Sequence, residues 1–263
     1  MSDVVNEQKV RDMVRGLGDV EPNSAFRERV KRSFVSGVVG HGSDEREQRR
    51  YHLFMPLALA ASLALLVGLA NHYSGPRWAL NRVGGTGQLV VDGHTVAPPI
   101  GGARAPLRPN ALIHTTGGAE ADLVCGELAA LRIPSGAELT VPTAPGRWLG
   151  RLSNCTLRNG EVRLTTSPKF AGTRLLIHTD IATIEVTGTT LAAFAGSDST
   201  CLCVLEGSAR MMDREGASTR VDAGHRLTLF RDSRMPARAE EILPMERMKL
   251  EMMRDDAGAT LGH

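Results

Sequence analysis

The most constraining feature of this sequence is an uncharged apolar segment that runs from Leu53 to Ala70. As a helix of ~1.5 Å per residue, this segment would extend roughly 27 Å, close to the thickness of the membrane hydrocarbon core. A buried core helix usually carries a polar face, whereas only Ser62 interrupts the apolar surface here. A cleaved signal peptide fits poorly, because 52 residues precede the segment. The sequence therefore predicts one uncleaved transmembrane helix over residues 53–70.

The charges beside this segment indicate its orientation. Arg46, Arg49 and Arg50 precede it closely, whereas Arg77 and Arg82 follow it. The positive-inside rule therefore favours a cytoplasmic N-terminus. We expect a single-pass protein of the bacterial inner membrane, with residues 1–52 in the cytoplasm and the rest in the periplasm.

Residues 1–52 read as two short helices. The second helix places Phe26, Val30 and Phe34 at fourfold spacing, after an N-cap at Asn23 or Ser24. Two helices cannot enclose a core, so a partner, the membrane surface or a second copy would have to cover this stripe. The alternative is a frayed helical tail. We interpret the three stripe residues as a partner-binding surface.

After the apolar segment the pattern changes to the period of two that is typical of strands. The chain has 28 glycines and only 4% aromatic residues, which favours short strands joined by turns. Eight stretches are predicted as strands: 88–92, 121–125, 128–133, 161–165, 175–179, 183–187, 201–205 and 226–230. We expect a linker over 71–87, a β domain over 88–231 built as a β-sandwich or a short β-solenoid, and a C-terminal tail over 232–263.

Glycine dipeptides separate the predicted strands. We expect each of them to close or reverse a strand, because glycine adopts positive φ at little cost. The dipeptides are Asp92-Gly93, Ser135-Gly136, Asn159-Gly160, Glu206-Gly207 and Ala223-Gly224.

Charge and motifs limit the function classes. The 31 basic and 29 acidic side chains give a net charge of +2, which argues against direct nucleic-acid binding. The sequence contains no nucleophile elbow, zinc-protease pair, phosphate loop or dinucleotide fingerprint. We therefore predict no enzyme activity, no catalytic residues, no cofactor and no metal.

Cys201 and Cys203 are the most chemically suggestive pair. Positions i and i+2 of a strand share a face, and Leu202 and Val204 are expected to take the core side, so both thiols would lie on the opposite face. Three interpretations remain open: a metal site that includes His178, a disulfide with one of the other two cysteines (Cys125 and Cys155), or small apolar residues.

The C-terminal tail is expected to contain a helix from Glu240 to Arg254. Its apolar stripe would consist of Ile242, Met245, Met248 and Met252. This stripe either covers an open edge or face of the β domain or offers a methionine-rich docking surface to a partner.

Five successive motifs in the β domain resemble those of the FecR family. They are IHTTGGAEA at 113–121, LRNGEV at 157–162, IHT with ATIEVTGT at 177–189, VLEGSA at 204–209 and VDAG at 221–224. The resemblance implies that Thr179, Gly188, Thr189, Glu206, Gly207 and Gly224 are structural residues of the family's β domain.

FecR-family members are single-span envelope proteins that regulate extracytoplasmic-function sigma factors. The resemblance therefore implies a regulator that relays an envelope state to a cytoplasmic partner, such as a sigma factor. Residues 1–52 contain no cysteine, which excludes a zinc-binding anti-sigma domain. The alternative function is a scaffold whose β domain binds an envelope protein or cell-wall polymer.

Overall fold

The structure is a computed structural model that describes residues 23–35, 59–71, 74–98, 104–149 and 151–261. The chain divides into two compact units, Met1–Leu66 and Val67–His263. The first predicted N-terminal helix and residues 53–58 of the predicted membrane segment lie outside the described residues.

A helix in the first unit spans Ser24–Val35. Asn23 caps it, because its Oδ1 atom accepts a hydrogen bond from the Ala25 N–H at 3.0 Å. Val30 is 48% exposed and Phe34 is 77% exposed. Two residues of the predicted stripe are therefore uncovered in this chain.

Residues 59–71 also form a helix. Its leucines are largely exposed, with Leu59 at 73%, Leu63 at 62% and Leu66 at 63%. Within the described residues, no helix has both the length and the apolar character needed to cross a membrane.

The second unit is mainly β, as predicted. Its described residues form 15 strands: β1 (Trp78–Gly84), β2 (Gln88–Val91), β3 (His94–Val96), β4 (Ala105–Pro106), β5 (Leu112–Thr116), β6 (Glu120–Cys125), β7 (Ala129–Ile133), β8 (Glu138–Thr140), β9 (Leu152–Thr166), β10 (Arg174–His178), β11 (Ala182–Ala195), β12 (Ser199–Asp213), β13 (Ser218–Asp222), β14 (His225–Phe230) and β15 (Arg238–Glu241). All eight predicted stretches fall on these strands, because alternation of apolar and polar residues is a strong signal for half-buried strands.

The strands form one open sheet. Its main path runs β15-β14-β12-β11-β10-β9-β7-β6-β1-β4, and β8 joins β2, β3 and β5 to it by pairing with β9. The sheet is therefore continuous, whereas a sandwich would consist of two separate sheets. One face carries a continuous cluster of buried apolar residues that extends from Trp78 and Leu80 in β1 to Leu227 in β14. We call this face the inner face.

Two of the predicted turns lie inside strands. Gly160 has φ 87° within β9, and Gly207 has φ 75° within β12. The prediction that these glycines end strands was wrong, because a single positive φ also produces a bulge, after which pairing resumes. The dipeptides that end in Gly93, Gly136 and Gly224 are turns, as predicted.

The predicted linker 71–87 contains a strand. Strand β1 pairs with β4 and β6, and its Trp78 and Leu80 are buried in the inner-face cluster. The pairing shifts register between Leu80 and Arg82. This irregularity disturbs the alternation of apolar and polar residues, so the sequence pattern did not reveal the strand.

The C-terminal helix spans Pro244–Leu261. Glu240, predicted as its start, belongs to β15, since Pro244 begins the helix. The helix packs on the outer face of the sheet, which is the face opposite the inner cluster. Its buried residues are Leu250, Met253, Ala257 and Leu261.

The predicted methionine stripe is on the other side of this helix. Met245, Met248 and Met252 are each more than half exposed, whereas Ile242 is buried beside Leu250. The helix thus covers a face of the β domain, but through a different set of residues. Both sets have helical spacing, and periodicity alone could not choose between them.

An ion pair holds the far part of this helix to the sheet. Arg132 in β7 is buried, and its guanidinium donates to Asp122 Oδ1 at 2.7 Å and to Asp256 Oδ2 at 3.0 Å. Burial opposes the charge of Arg132, but the hydrogen bonds from its guanidinium to the two carboxylates outweigh this effect and raise its pKa.

Candidate functional site

A cleft of about 600 Å³ opens on the outer face, where strands β9, β11 and β12 meet the C-terminal helix. Clefts of this size accommodate small molecules. Its lining residues are Thr165, Thr166, Ser167, Pro168, Ala171, Thr187, Gly188, Thr189, Thr190, Glu206, Gly207, Arg254, Asp255, Gly258 and Leu261. We call it the hydroxyl cleft, because six of these residues carry hydroxyl groups.

A close approach of two strands shapes the cleft. The pairing of β11 with β12 shifts register between Val186 and Thr189, so that Thr189 pairs with Gly207. Gly188 has φ 152° and Gly207 has φ 75°. A Cβ atom at Gly207 would lie 2.5 Å from the Gly188 carbonyl oxygen. Position 207 therefore requires glycine for both conformation and space.

The hydroxyl groups form a connected network. The Oγ1 atoms of Thr165 and Thr190 lie 2.9 Å apart, and Thr190 Oγ1 donates to Glu206 Oε2 at 3.4 Å. Thr166 Oγ1 accepts from the Thr189 N–H at 2.8 Å and donates to the Thr189 carbonyl at 3.2 Å. Such networks fix side-chain positions in a buried polar site.

Thr189 is the exception within this network. It is 4% exposed, and its Oγ1 atom has no hydrogen-bond partner among the described residues. An unsatisfied buried hydroxyl costs about 1–3 kcal/mol. This buried hydroxyl therefore lowers the stability of the fold and is not open to the cleft.

Three charged side chains stand at the cleft. Arg254 of the C-terminal helix donates to Glu206 Oε1 at 2.7 Å and to Asp255 Oδ1 at 3.0 Å. Hydrogen bonds to Glu206 and then to Asp255 raise the pKa of the Arg254 guanidinium. The group carries one positive and two negative charges, so the cleft has a small negative excess.

Cys201 and Cys203 lie on the outer face away from the cleft lining. The Cys203 Sγ atom lies 3.8 Å from Cys201 Sγ and 3.5 Å from Glu246 Oε2, so its one S–H can donate to either neighbour. The core-side positions of Leu202 and Val204 agree with the prediction. Cys203 is nevertheless buried, because it packs with Ile242 and Leu250 beneath the C-terminal segment.

The alternatives for the cysteines can now be compared. All four are free thiols, so the predicted alternative of a disulfide with Cys125 or Cys155 was wrong. Cys125 and Cys155 belong to the inner-face cluster, which separates them from the thiol pair of β12 on the outer face. Among the described residues, no group of three or more His, Cys, Asp or Glu side chains is arranged to hold a metal ion.

The structure brings four of the predicted residues to the cleft: Gly188, Thr189, Glu206 and Gly207. The other two lie elsewhere. Thr179 closes the β10–β11 turn, where its Oγ1 atom accepts from the Ala182 N–H at 2.9 Å. Gly224 lies in a turn after β13, and its carbonyl accepts from the Ile242 N–H at 2.9 Å.

Sequence reasoning did not identify the remaining lining residues. Thr165 and Thr166 end the long strand β9, and Arg254 and Asp255 belong to a helix distant in sequence. The run of hydroxyl residues at 165–167 was the available signal. The position of Arg254 depends on helix packing and had no local signal.

The comparisons with known proteins agree with part of this picture. Residues 111–210 match the family described as FecR protein, which confirms the predicted resemblance over that segment. The segment includes Gly188, Thr189, Glu206 and Gly207 but not the C-terminal helix. A search of curated proteins gave no match.

Two crystal structures of a candidate anti-sigma factor from Parabacteroides distasonis ATCC 8503 are similar to this chain. Each has 13% sequence identity and a TM-score of 0.43, and each comparison covers 49% of this chain. The chain spans 59% of the length of that relative.

Proposed function

We propose that this chain is a membrane-anchored regulator that relays an envelope state to a cytoplasmic partner, namely an extracytoplasmic-function sigma factor. The FecR match over residues 111–210 carries this proposal. The motifs of the matched segment contribute Gly188, Thr189, Glu206 and Gly207 to the hydroxyl cleft. A β domain with such a cleft is suited to sensing, since a ligand there would contact both the strands and the C-terminal helix.

The helix Ser24–Val35 is the proposed partner-binding surface. Val30 and Phe34 are exposed on it, and Phe26 shares their fourfold spacing in the sequence. Burial of one phenylalanine contributes about 1.5–3 kcal/mol. A partner that covers both aromatic residues would therefore gain appreciable affinity.

The proposed anchor is the apolar segment 53–70. The exposed leucines of the helix 59–71 support it, because hydrocarbon would remove them from water. In this proposal residues 1–52 are cytoplasmic and the β domain is periplasmic. Protease added to cells with a permeabilised outer membrane should then digest the β domain and spare the N-terminus. The reverse pattern would contradict the proposed orientation.

The regulatory function is tested with Phe26→Ser and Phe34→Ser in the full chain. Serine and phenylalanine have similar helix propensities, so the change removes the apolar stripe and keeps the helix. We expect loss of capture of a sigma factor from mild detergent extracts and altered transcription of a defined gene set.

The matched control is Glu28→Ser with Arg32→Ser on the same helix. Both residues are exposed, the double change leaves the net charge unchanged, and the positions lie off the stripe. We expect normal capture from this control. If the phenylalanine variant also behaves normally, the helix is a passive tail, and a scaffold that binds an envelope protein or cell-wall polymer becomes the better interpretation.

A further inference from the structure

The hydroxyl cleft has the composition of a site for a neutral, hydroxyl-rich molecule. Each threonine or serine hydroxyl can both donate and accept a hydrogen bond, as each sugar hydroxyl can. Glu206 adds a carboxylate acceptor, and Arg254 adds guanidinium donors. Pro168, Ala171 and Leu261 contribute apolar surface, which suits the C–H face of a sugar ring.

Charged ligands fit this cleft less well. Two carboxylates already balance the charge of the Arg254 guanidinium, so an anion would meet a small negative excess. A cation would have to compete with Arg254 for Glu206 and Asp255. A neutral ligand requires neither rearrangement, because hydroxyl groups can bind while this ion pair stays intact.

The lining also argues against a nucleobase. None of the described residues that line the cleft is aromatic, and proteins bind unpaired bases largely by stacking them on aromatic side chains.

From these observations we infer that the hydroxyl cleft binds a neutral saccharide unit of one or two sugar rings. The volume of about 600 Å³ is adequate for such a ligand. The inference goes beyond the proposed regulatory function and does not depend on the identity of the cytoplasmic partner. The saccharide could be free or part of an envelope glycan, since both present the same hydroxyl groups.

The test compares three disaccharides of equal size with the full chain in a sugar-free detergent. They are the neutral dimer of N-acetylglucosamine, its deacetylated cationic form and a dimer that carries a uronic acid. We expect the neutral dimer alone to bind, with a Kd of about 1 mM or below by calorimetry. Absence of neutral binding in this range, or equal binding of a charged dimer, would overturn the inference.

Two substitutions locate the site. Thr190→Val and Glu206→Gln should each weaken binding of the neutral dimer by about tenfold, because the first removes a hydroxyl from the cleft and the second replaces a charged acceptor with a neutral amide. Glu138→Gln is the matched control, since Glu138 forms a surface ion pair with Arg158 outside the cleft. Glu206 is itself half exposed, so its variant should fold even if the threonine variant does not. Unchanged binding by Glu206→Gln would reject this cleft as the site.

The two sources of the saccharide are then separated by sedimentation with purified peptidoglycan. Sedimentation that the neutral dimer inhibits would identify a polymer unit as the ligand. Binding of the dimer without sedimentation would identify a free saccharide. Sedimentation that the dimer does not inhibit would contradict the inference, because the polymer would then bind elsewhere. Neither binding assay requires the cytoplasmic partner, so failure of the regulatory proposal would be seen separately.

Discussion

The inner and outer faces of the sheet are stabilised in different ways. The inner face is one continuous cluster of apolar side chains from β1 to β14. The outer face, beneath the C-terminal helix, mixes small apolar patches with buried polar groups such as Arg132, Thr165 and Thr190. The difference indicates that apolar burial holds the inner face together, whereas the outer face also depends on buried polar contacts.

The contrast also concerns sequence distance. On the inner face, neighbouring strands supply most contacts, as where Leu164 faces Leu131 and Leu191. On the outer face, Arg132 reaches Asp256 across 124 residues. A surface assembled from such distant groups depends on the whole fold being in place.

The largest expected effect comes from an inner-face cavity. Leu164 is fully buried between β7 and β11, so Leu164→Ala should lower the free energy of unfolding by about 2–5 kcal/mol. Urea denaturation of the full chain measures this change. Leu152→Ala in the same strand is the control, because Leu152 is 38% exposed. Similar losses from both variants would contradict the proposed division of roles.

A smaller effect is expected from the buried ion pair of the outer face. Arg132→Met should lower the free energy of unfolding by about 2 kcal/mol, since Asp122 loses its best-buried partner. Asp256→Asn should cost less than about 1 kcal/mol, because that carboxylate is more than half exposed. An Arg132→Met variant as stable as the parent would show that packing, not charge, holds the helix here.

The two faces also differ in how far the sequence predicts them. Alternation located the eight predicted strands, because a half-buried strand must place apolar residues at every second position. It did not reveal β1, whose pairing with β6 is irregular after Leu80. It also could not show that strands β9, β11 and β12 continue through their bulged glycines.

The candidate site was only half predictable. The family motifs contain Gly188, Thr189, Glu206 and Gly207 within short stretches of sequence. Arg254 instead reaches the site because the C-terminal helix packs on the outer face of the sheet through Leu250 and Met253. The methionine stripe has equally regular helical spacing in the sequence, so only tertiary packing decides which face of the helix is buried.

A third prediction concerns the backbone at the cleft. Gly188 has φ 152°, and no heavy atom lies within 4 Å of a Cβ built there. Gly188→Val should therefore lower the free energy of unfolding by about 1 kcal/mol through backbone strain alone. Gly84→Val is the control, because Gly84 has equally open space without a positive φ. Equal melting temperatures for the two variants would mean that the conformation at Gly188 costs nothing.

The smallest effect on stability, and the sharpest contrast between the faces, is expected from the thiols. On the inner face, burial raises the pKa of Cys125 and of Cys155 to about 12. On the outer face, a hydrogen bond from Cys203, assisted by Thr228 and the charge of Arg226, lowers the pKa of Cys201 to about 7. The same thiol contact, and then burial, raise the pKa of Cys203.

Iodoacetamide should therefore modify Cys201 first in the folded chain. Only the thiolate reacts, so the rate at Cys201 should rise with pH and reach half its maximum near pH 7. The folded-state pKa of Cys201 lies below its ordinary value of 9.0. Ionisation of Cys201 therefore stabilises the folded state, and this contribution is fully present above pH 9.0. This contribution is lost as the pH falls through about 7. Mass spectrometry of peptides after timed alkylation measures the rates.

Substitution of the neighbouring thiol tests the cause of this reactivity. Cys203→Ala removes the S–H donor to Cys201 and should move the alkylation midpoint of Cys201 to higher pH. Cys203→Ser keeps an O–H donor, so the midpoint should stay closer to that of the parent.

Cys125 and Cys155 should remain unmodified in both variants until denaturant is added, because the inner face is unchanged. An alkylation midpoint of Cys201 that is the same in all three proteins would show that Arg226 and Thr228, not the thiol pair, set its ionisation. Modification of Cys155 at the rate of Cys201 would remove the contrast between the two faces altogether.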